Sequence, residues 1–239
     1  MNIVENVYEK ELNDFAIRVK QGDLTEENVD AIIVPEFYKK SERAGLAKAV
    51  INKNGNAKAF DDFDKVAKEK MLAPAENVIT DSYSYKYKKI IHTITVCPKG
   101  YSSEIPMVRA AIYNAIMAGY KLGLRSFSLP ALNTGNGGSL SNYDSANSII
   151  LGFGDATEKI EVKENEKPSV SIVLTNNEMF EDFKEELSHY KQLGTGKGKF
   201  IHDDRINRFN DDFLGVSPFS VTSGMYNSHI KEIKNSMQK

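Results

Sequence analysis

The sequence predicts an α/β fold, a three-layer α/β/α sandwich around a mixed central sheet. Three observations predict it. Strand-like and helix-like segments alternate along the chain, which argues for layered α/β packing. Ala31-Ile32-Ile33-Val34 is apolar at every position, the mark of a strand buried on both faces. Third, a strand-like segment, Ser126-Phe127-Ser128-Leu129-Pro130, runs into a glycine-rich loop, Asn133-Thr134-Gly135-Asn136-Gly137-Gly138. Glycine lets backbone approach a ligand closely, and loops at strand carboxyl ends are where open α/β sheets bind ligands.

Each element has its own justification. Residues 2–8 and 14–20 are expected as strands, the second alternating Phe15, Ile17 and Val19 with polar neighbours. Residues 31–34 follow as the buried strand, and Pro35, which has no N–H for a ladder, is expected to end it. Ser41 is placed to cap a helix carrying Ala44, Ala47, Val50 and Ile51 on one face. Residues 58–70 form a second amphipathic helix with Phe60, Phe63 and Ala67 inward. Residues 77–82 and 88–96 read as a strand pair. Residues 106–122 read as a helix, with Pro106 near its first turn and Gly123 beyond its end. Residues 125–131 feed the glycine loop, and residues 141–156 continue as helix in spite of Gly152 and Gly154. Residues 169–175 close the pattern as a strand and 178–190 as a helix.

Composition sets bounds. The 239 residues divide into a domain over 1–192 and an extension over 193–239. The boundary is Leu193-Gly194-Thr195-Gly196-Lys197-Gly198-Lys199, a flexible linker by composition. It lacks the Gly-x-x-x-x-Gly-Lys-(Ser/Thr) spacing of a phosphate loop. Phe209, Phe213, Phe219 and Tyr226 give the extension aromatic content suited to packing on the domain or on a protein partner. A formal charge of −2 makes no case for bulk nucleic-acid binding. Cys97, the single cysteine, excludes an intramolecular disulfide and reads as a buried thiol. No apolar run reaches the roughly 18 residues of a membrane span. The start lacks a signal peptide's basic and apolar regions, so a cytoplasmic protein is expected. The four histidines show no metal spacing, and no metal or cofactor is expected.

Four motifs in order carry a resemblance. Gly22-Asp23-Leu24-Thr25 is followed by Val29-Asp30-Ala31-Ile32-Ile33, then Ile91-His92-Thr93, then Pro130-Ala131-Leu132-Asn133-Thr134-Gly135. Over residues 12–190 the chain resembles the macro domain, the ADP-ribose-binding α/β family. The resemblance implies that Asp23 accepts from the adenine amine, with the Leu24 N–H reaching a ring nitrogen. A turn or N-cap aspartate is the structural alternative. Gly45 and Leu46 are implied to bring backbone N–H groups to the diphosphate from a helix start. Asn133, Thr134, Gly135, Asn136, Gly137 and Gly138 are implied to wrap the diphosphate and distal ribose. Thr175 stands where an adenine-stacking aromatic is expected, so Phe180 is the substitute, with a core-facing helix Phe as the alternative. Asp30 reads as a strand-entry charge, and His92 as a core or supporting histidine.

One departure bears on activity. Where the family continues with Asn-Ala-Ala-Asn, this chain has Val34-Pro35-Glu36-Phe37, and Phe37 replaces the asparagine that the resemblance implies positions water in active members. Glu36 is the candidate base, against a solvated loop glutamate. The expected function is binding of ADP-ribose or ADP-ribosylated protein with little hydrolysis. The alternatives are an ADP-ribosyl-glycohydrolase or ADP-ribose-1''-phosphate phosphatase with divergent residues, and a degenerate macro fold serving protein interaction.

Overall fold

The computed structural model describes residues 6–37, 43, 45–70, 72–96, 104–135, 138–192 and 200–202. The strands are β1 (Val7–Leu12), β2 (Phe15–Gln21), β3 (Val29–Phe37), β4 (Asn77–Asp81), β5 (Tyr87–Val96), β6 (Ser126–Leu129), β7 (Ser169–Leu174), β8 (Tyr190–Gln192) and β9 (Phe200–His202). The helices are α1 (Gly45–Asn54), α2 (Ala57–Glu69), α3 (Glu104–Lys121), α4 (Asn142–Thr157) and α5 (Asn177–Ser188). Seven strands form one mixed sheet in the order β1-β2-β7-β6-β3-β5-β4. The five inner strands run parallel, and β1 and β4 are antiparallel edges.

Strand alternation assigns the two helical layers. Ala31 and Ile33 of β3 join a core with Val108 and Ile112 of α3, Ile149 and Phe153 of α4, and Phe183 of α5. Ile32 and Val34 turn to the other face and pack with Val50 of α1 and Phe60 of α2. The expected three-layer sandwich is the observed one.

Three details depart from expectation. The first hairpin turns at Asn13 and Asp14, both in the left-handed region with φ of 49° and 66°, so β1 is centred several residues later than residues 2–8. Two consecutive positive φ values suit the right-handed twist of a hairpin, and Asn and Asp tolerate them. Pro35 does not end β3, which continues to Phe37 with a register shift between Glu36 and Phe37. The pairing of β3 with β6 covers only Ala31 and Ile32, so Pro35 lies past that neighbour, an edge condition under which proline is tolerated. Residue 190 belongs to β8 rather than to the last helix, and β8 pairs antiparallel with β9 from the extension. The linker at 193–199, the aromatics beyond 202, Ser41 and Cys97 lie outside the described residues.

The helix over 141–156 is present, and its internal glycine has a packing reason. A Cβ on Gly152 would meet the Arg109 carbonyl oxygen at 2.3 Å, so α3 and α4 touch backbone to backbone there. Arg109 then reaches Asp155 in a bidentate pair at 2.6 and 2.9 Å. Among the described residues no helix is long and apolar enough to cross a membrane.

Candidate functional site at the carboxyl edge of the sheet

The parallel register brings the predicted motifs to one edge. Gln21 pairs with Leu174 and Leu129 with Ile172, so the segments after β2, β6 and β7 leave the sheet at the same side. The Gly22 N–H donates to the Leu174 carbonyl at 2.8 Å, fixing the turn that presents Asp23. β3 and β5 carry Glu36, Phe37 and Thr95 toward the same edge.

Asp23 caps a short 3-10 helix, Leu24–Glu26. Its Oδ1 accepts from the Thr25 N–H at 2.9 Å and from the Thr25 hydroxyl at 2.6 Å. Its Oδ2 pairs with Lys53 of α1. Partial burial opposes ionisation, but the Lys53 ammonium and the two Thr25 donors outweigh it and hold the carboxyl below its usual range. The carboxylate keeps 42% side-chain exposure, enough to meet a further donor. Leu24 turns its side chain into the core. Gly45 opens α1 with φ of +54°, and Leu46 is half-buried behind it.

The glycine loop is built around Asn133, which is buried and sits at φ 58°. Its Nδ2 donates to the Thr95 carbonyl at 2.8 Å and to Glu104 Oε2 at 3.3 Å. The Asn133 carbonyl accepts from the Leu140 N–H at 3.0 Å, and the Gly135 carbonyl from the Gly138 N–H at 2.9 Å. Gly138 passes so close that a Cβ there would lie 2.2 Å from the Asn133 carbonyl oxygen. A Cβ on Gly135 would meet nothing within 4 Å, so of the two described loop glycines it is Gly138 whose place the chain itself reserves for glycine. Thr134 is half-buried beside it, whereas Asn136 and Gly137 lie outside the described residues. The loop ends at Ser141, which caps α4 by accepting from the Asp144 N–H at 3.1 Å.

Glu36 is not the solvated loop residue weighed in the sequence. It is buried, and Oε1 accepts from His92 Nδ1 at 3.1 Å. His92 Nε2 then lies 3.0 Å from the Thr80 hydroxyl, which donates to it when Nδ1 carries the proton. The imidazole stacks on Phe63 at 4.7 Å and meets Phe60 edge-on at 5.0 Å. Arg43 Nε stands 3.9 Å from Glu36, and the guanidinium forks onto Asp64 at 2.6 and 3.2 Å. Burial pushes the His92 pKa down, Arg43 adds to that, and Glu36 opposes it. The network binds β3, β5 and α2 together. At 7% exposure this carboxylate offers little room to a reacting water.

Phe180 is also placed differently from the stacking role. It is 4% exposed and belongs to the main core, because its position on α5 turns toward the sheet. Thr175 and Asn176 are exposed at the nominal stacking position, and Asn176 caps α5 through Met179 N–H at 2.8 Å. Sequence reasoning missed Lys53, Arg43, Asp64 and Glu104. Each acts through a partner at least 21 residues away, so no local pattern announced it.

Comparison with known proteins gives the same geometry a context. A family model described as Macro domain matches residues 40–149. An uncharacterized protein of Thermotoga maritima is 33% identical over 121 residues, which is 50% of this chain and 20% of that protein. An uncharacterized protein of Pyrobaculum aerophilum is 29% identical over 115 residues, 48% of this chain and 62% of its own length. The chain thus spans less than two thirds of the curated relatives it matches. Among solved structures, an Oceanobacillus iheyensis macrodomain with ADP superposes with a TM-score of 0.66 at 20% identity, covering 77% of this chain and 96% of that one. A Trypanosoma brucei macrodomain in complex with ADP gives 0.58 at 16% identity, covering 72% of this chain and 68% of that one.

Proposed function

Because this chain carries a macro domain, we propose that the carboxyl edge of its sheet binds ADP-ribose or a related adenine diphosphate, free or attached to protein, with little hydrolase activity. The observation that carries the reading is how the described residues at the two ends of the glycine loop, Asn133 to Gly135 and Gly138 to Leu140, are held. A left-handed Asn133, a backbone contact at Gly138 and two closing N–H···O bonds bring these ends together at the edge where α/β sheets take ligands. Such a loop turns backbone N–H groups toward an anion at little conformational cost. Asp23, with its carboxylate ionised and partly exposed at the same edge, supplies an acceptor for an exocyclic amine. The ADP named in two superposable macrodomain structures agrees with this ligand class.

The hydrolase alternative draws less support. Phe37 cannot orient water, and Glu36 is buried with its Oε1 on His92. Calorimetric titration with ADP-ribose, set beside AMP and inorganic diphosphate, tests the reading. Saturable binding of ADP-ribose that exceeds both fragments is the expected result. Absence of heat and of thermal shift at millimolar ADP-ribose would sink it.

A further inference from the structure

We infer that Glu104, the first residue of α3, is the positioning residue that holds the entry and exit of the glycine loop, Asn133 and Ser139, in place for the ligand, an inference that rests on the ADP-ribose reading of that loop. The chemistry is visible in three hydrogen bonds. Glu104 Oε2 accepts from the Ser139 N–H at 3.0 Å and from Asn133 Nδ2 at 3.3 Å. Oε1 accepts from the Ser139 hydroxyl at 3.0 Å. Asn133 is the entry of the loop and Ser139 its exit, so one carboxylate ties both ends. It does so across 29 and 35 residues of sequence, from a different element.

The tie answers a physical need. Asn133 at φ 58° sits in a region that a residue with a Cβ occupies at some cost, and surrounding bonds must hold it there. The Thr95 carbonyl and Glu104 share its amide. The Ser139 N–H has Glu104 as its partner rather than a backbone carbonyl, so removing the carboxylate leaves that donor to water and frees the exit of the loop. A charge placed only to complement the N-terminus of α3 would not need these contacts. Glu104 bonds to Asn133 and Ser139, and its proposed effect on binding passes through their geometry.

Two substitutions separate this role from a general structural one. Glu104→Ala removes all three acceptors. Glu104→Gln keeps an oxygen for Ser139 N–H and Asn133 Nδ2, and its amide can donate to the Ser139 hydroxyl. Amide hydrogen exchange of the full chain is measured alongside calorimetric titration with ADP-ribose. Glu104→Ala is expected to speed exchange at Ser139 and weaken ADP-ribose affinity, each by about tenfold, the scale of one or two ordinary hydrogen bonds. Exchange in β3, β6 and α4 stays as in the unaltered chain, and Glu104→Gln restores both readouts. Unchanged exchange at Ser139 in Glu104→Ala overturns the inference. So does protection lost evenly across α3 and the sheet, which marks a general structural group. If the unaltered chain fails to bind ADP-ribose, the ligand reading fails, and the exchange result alone judges the positioning role.

Discussion

Two carboxylates at the same edge of the sheet differ because their surroundings differ. Asp23 is half-open, ionised and offered to solvent, whereas Glu36 is shut between His92 and Arg43. The capping turn at Asp23, the structural alternative weighed for it, was legible in the sequence because it is local and follows a strand. Glu36 was not, because His92 lies 56 residues away and only the β3–β5 register brings the two together. If Asp23 meets the adenine amine, Asp23→Ala weakens ADP-ribose by about 1.5–3 kcal/mol in a calorimetric titration, the range for hydrogen bonds to charged groups. Unchanged affinity in a folded variant removes Asp23 from the site. His92 makes a second prediction. Its ordinary value is 6.5, and burial lowers it in the folded chain. Below pH 6.5 the unfolded chain therefore takes up a proton that the folded chain resists. This stability is fully present above pH 6.5 and is lost as pH falls toward the lower folded value. Urea midpoints between pH 7.5 and 5 are expected to fall through that window, and His92→Gln to flatten this part of the slope. An equally steep slope in the variant would mean that another group sets it.

At the scale of elements, the sequence named most strands and helices because periodicity and capping are local. What it missed was decided by neighbours. Pro35 ends a strand only where a ladder needs its N–H, and the shortness of β6 relieved that need. The helix through Gly152 was expected and is present; its neighbour adds the reason for the glycine, since backbone contact with α3 requires a residue without a Cβ. The same contact logic sorts the glycines of the loop. Gly138→Val would drive a side chain into the Asn133 carbonyl, so it should abolish ADP-ribose binding and lower the melting temperature modestly. Gly135→Val meets open space in the chain, so it should leave the melting temperature unchanged and weaken binding only through contact with the ligand itself. Melting curves with and without ADP-ribose check both. Normal binding in Gly138→Val would show that the loop shape is irrelevant to the site.

For the whole molecule, the fold was legible because strand-like and helix-like segments alternate and four motifs recur in the right order, and the parallel register brings the turns after β2 and β6 to one edge. Catalysis is the property that this convergence leaves unsupported. A hydrolase of ADP-ribosyl bonds must hold water in line with the bond it cleaves, and a residue without hydrogen-bonding capacity, Phe37, replaces the asparagine expected for that task. Losing one such preorganised polar contact costs on the order of 10²–10³ in rate. The remaining carboxylate candidate, Glu36, has its Oε1 on His92 and is 7% exposed, so it is poorly placed to take a proton from water. Binding and turnover should therefore separate. ADP-ribose at about a hundred times its dissociation constant is expected to stabilise the chain by about 2.7 kcal/mol through mass action. Release of ADP-ribose from a mono-ADP-ribosylated protein is expected to stay near background under the same conditions. Phe37→Asn should recover little, because Pro35 and the register shift at Glu36 set a different path for the backbone. Robust turnover by the unaltered chain would overturn the binder reading. Glu36→Gln then decides whether that carboxylate is the base: binding kept with rate lost would assign it, and rate kept would direct the search elsewhere along the edge.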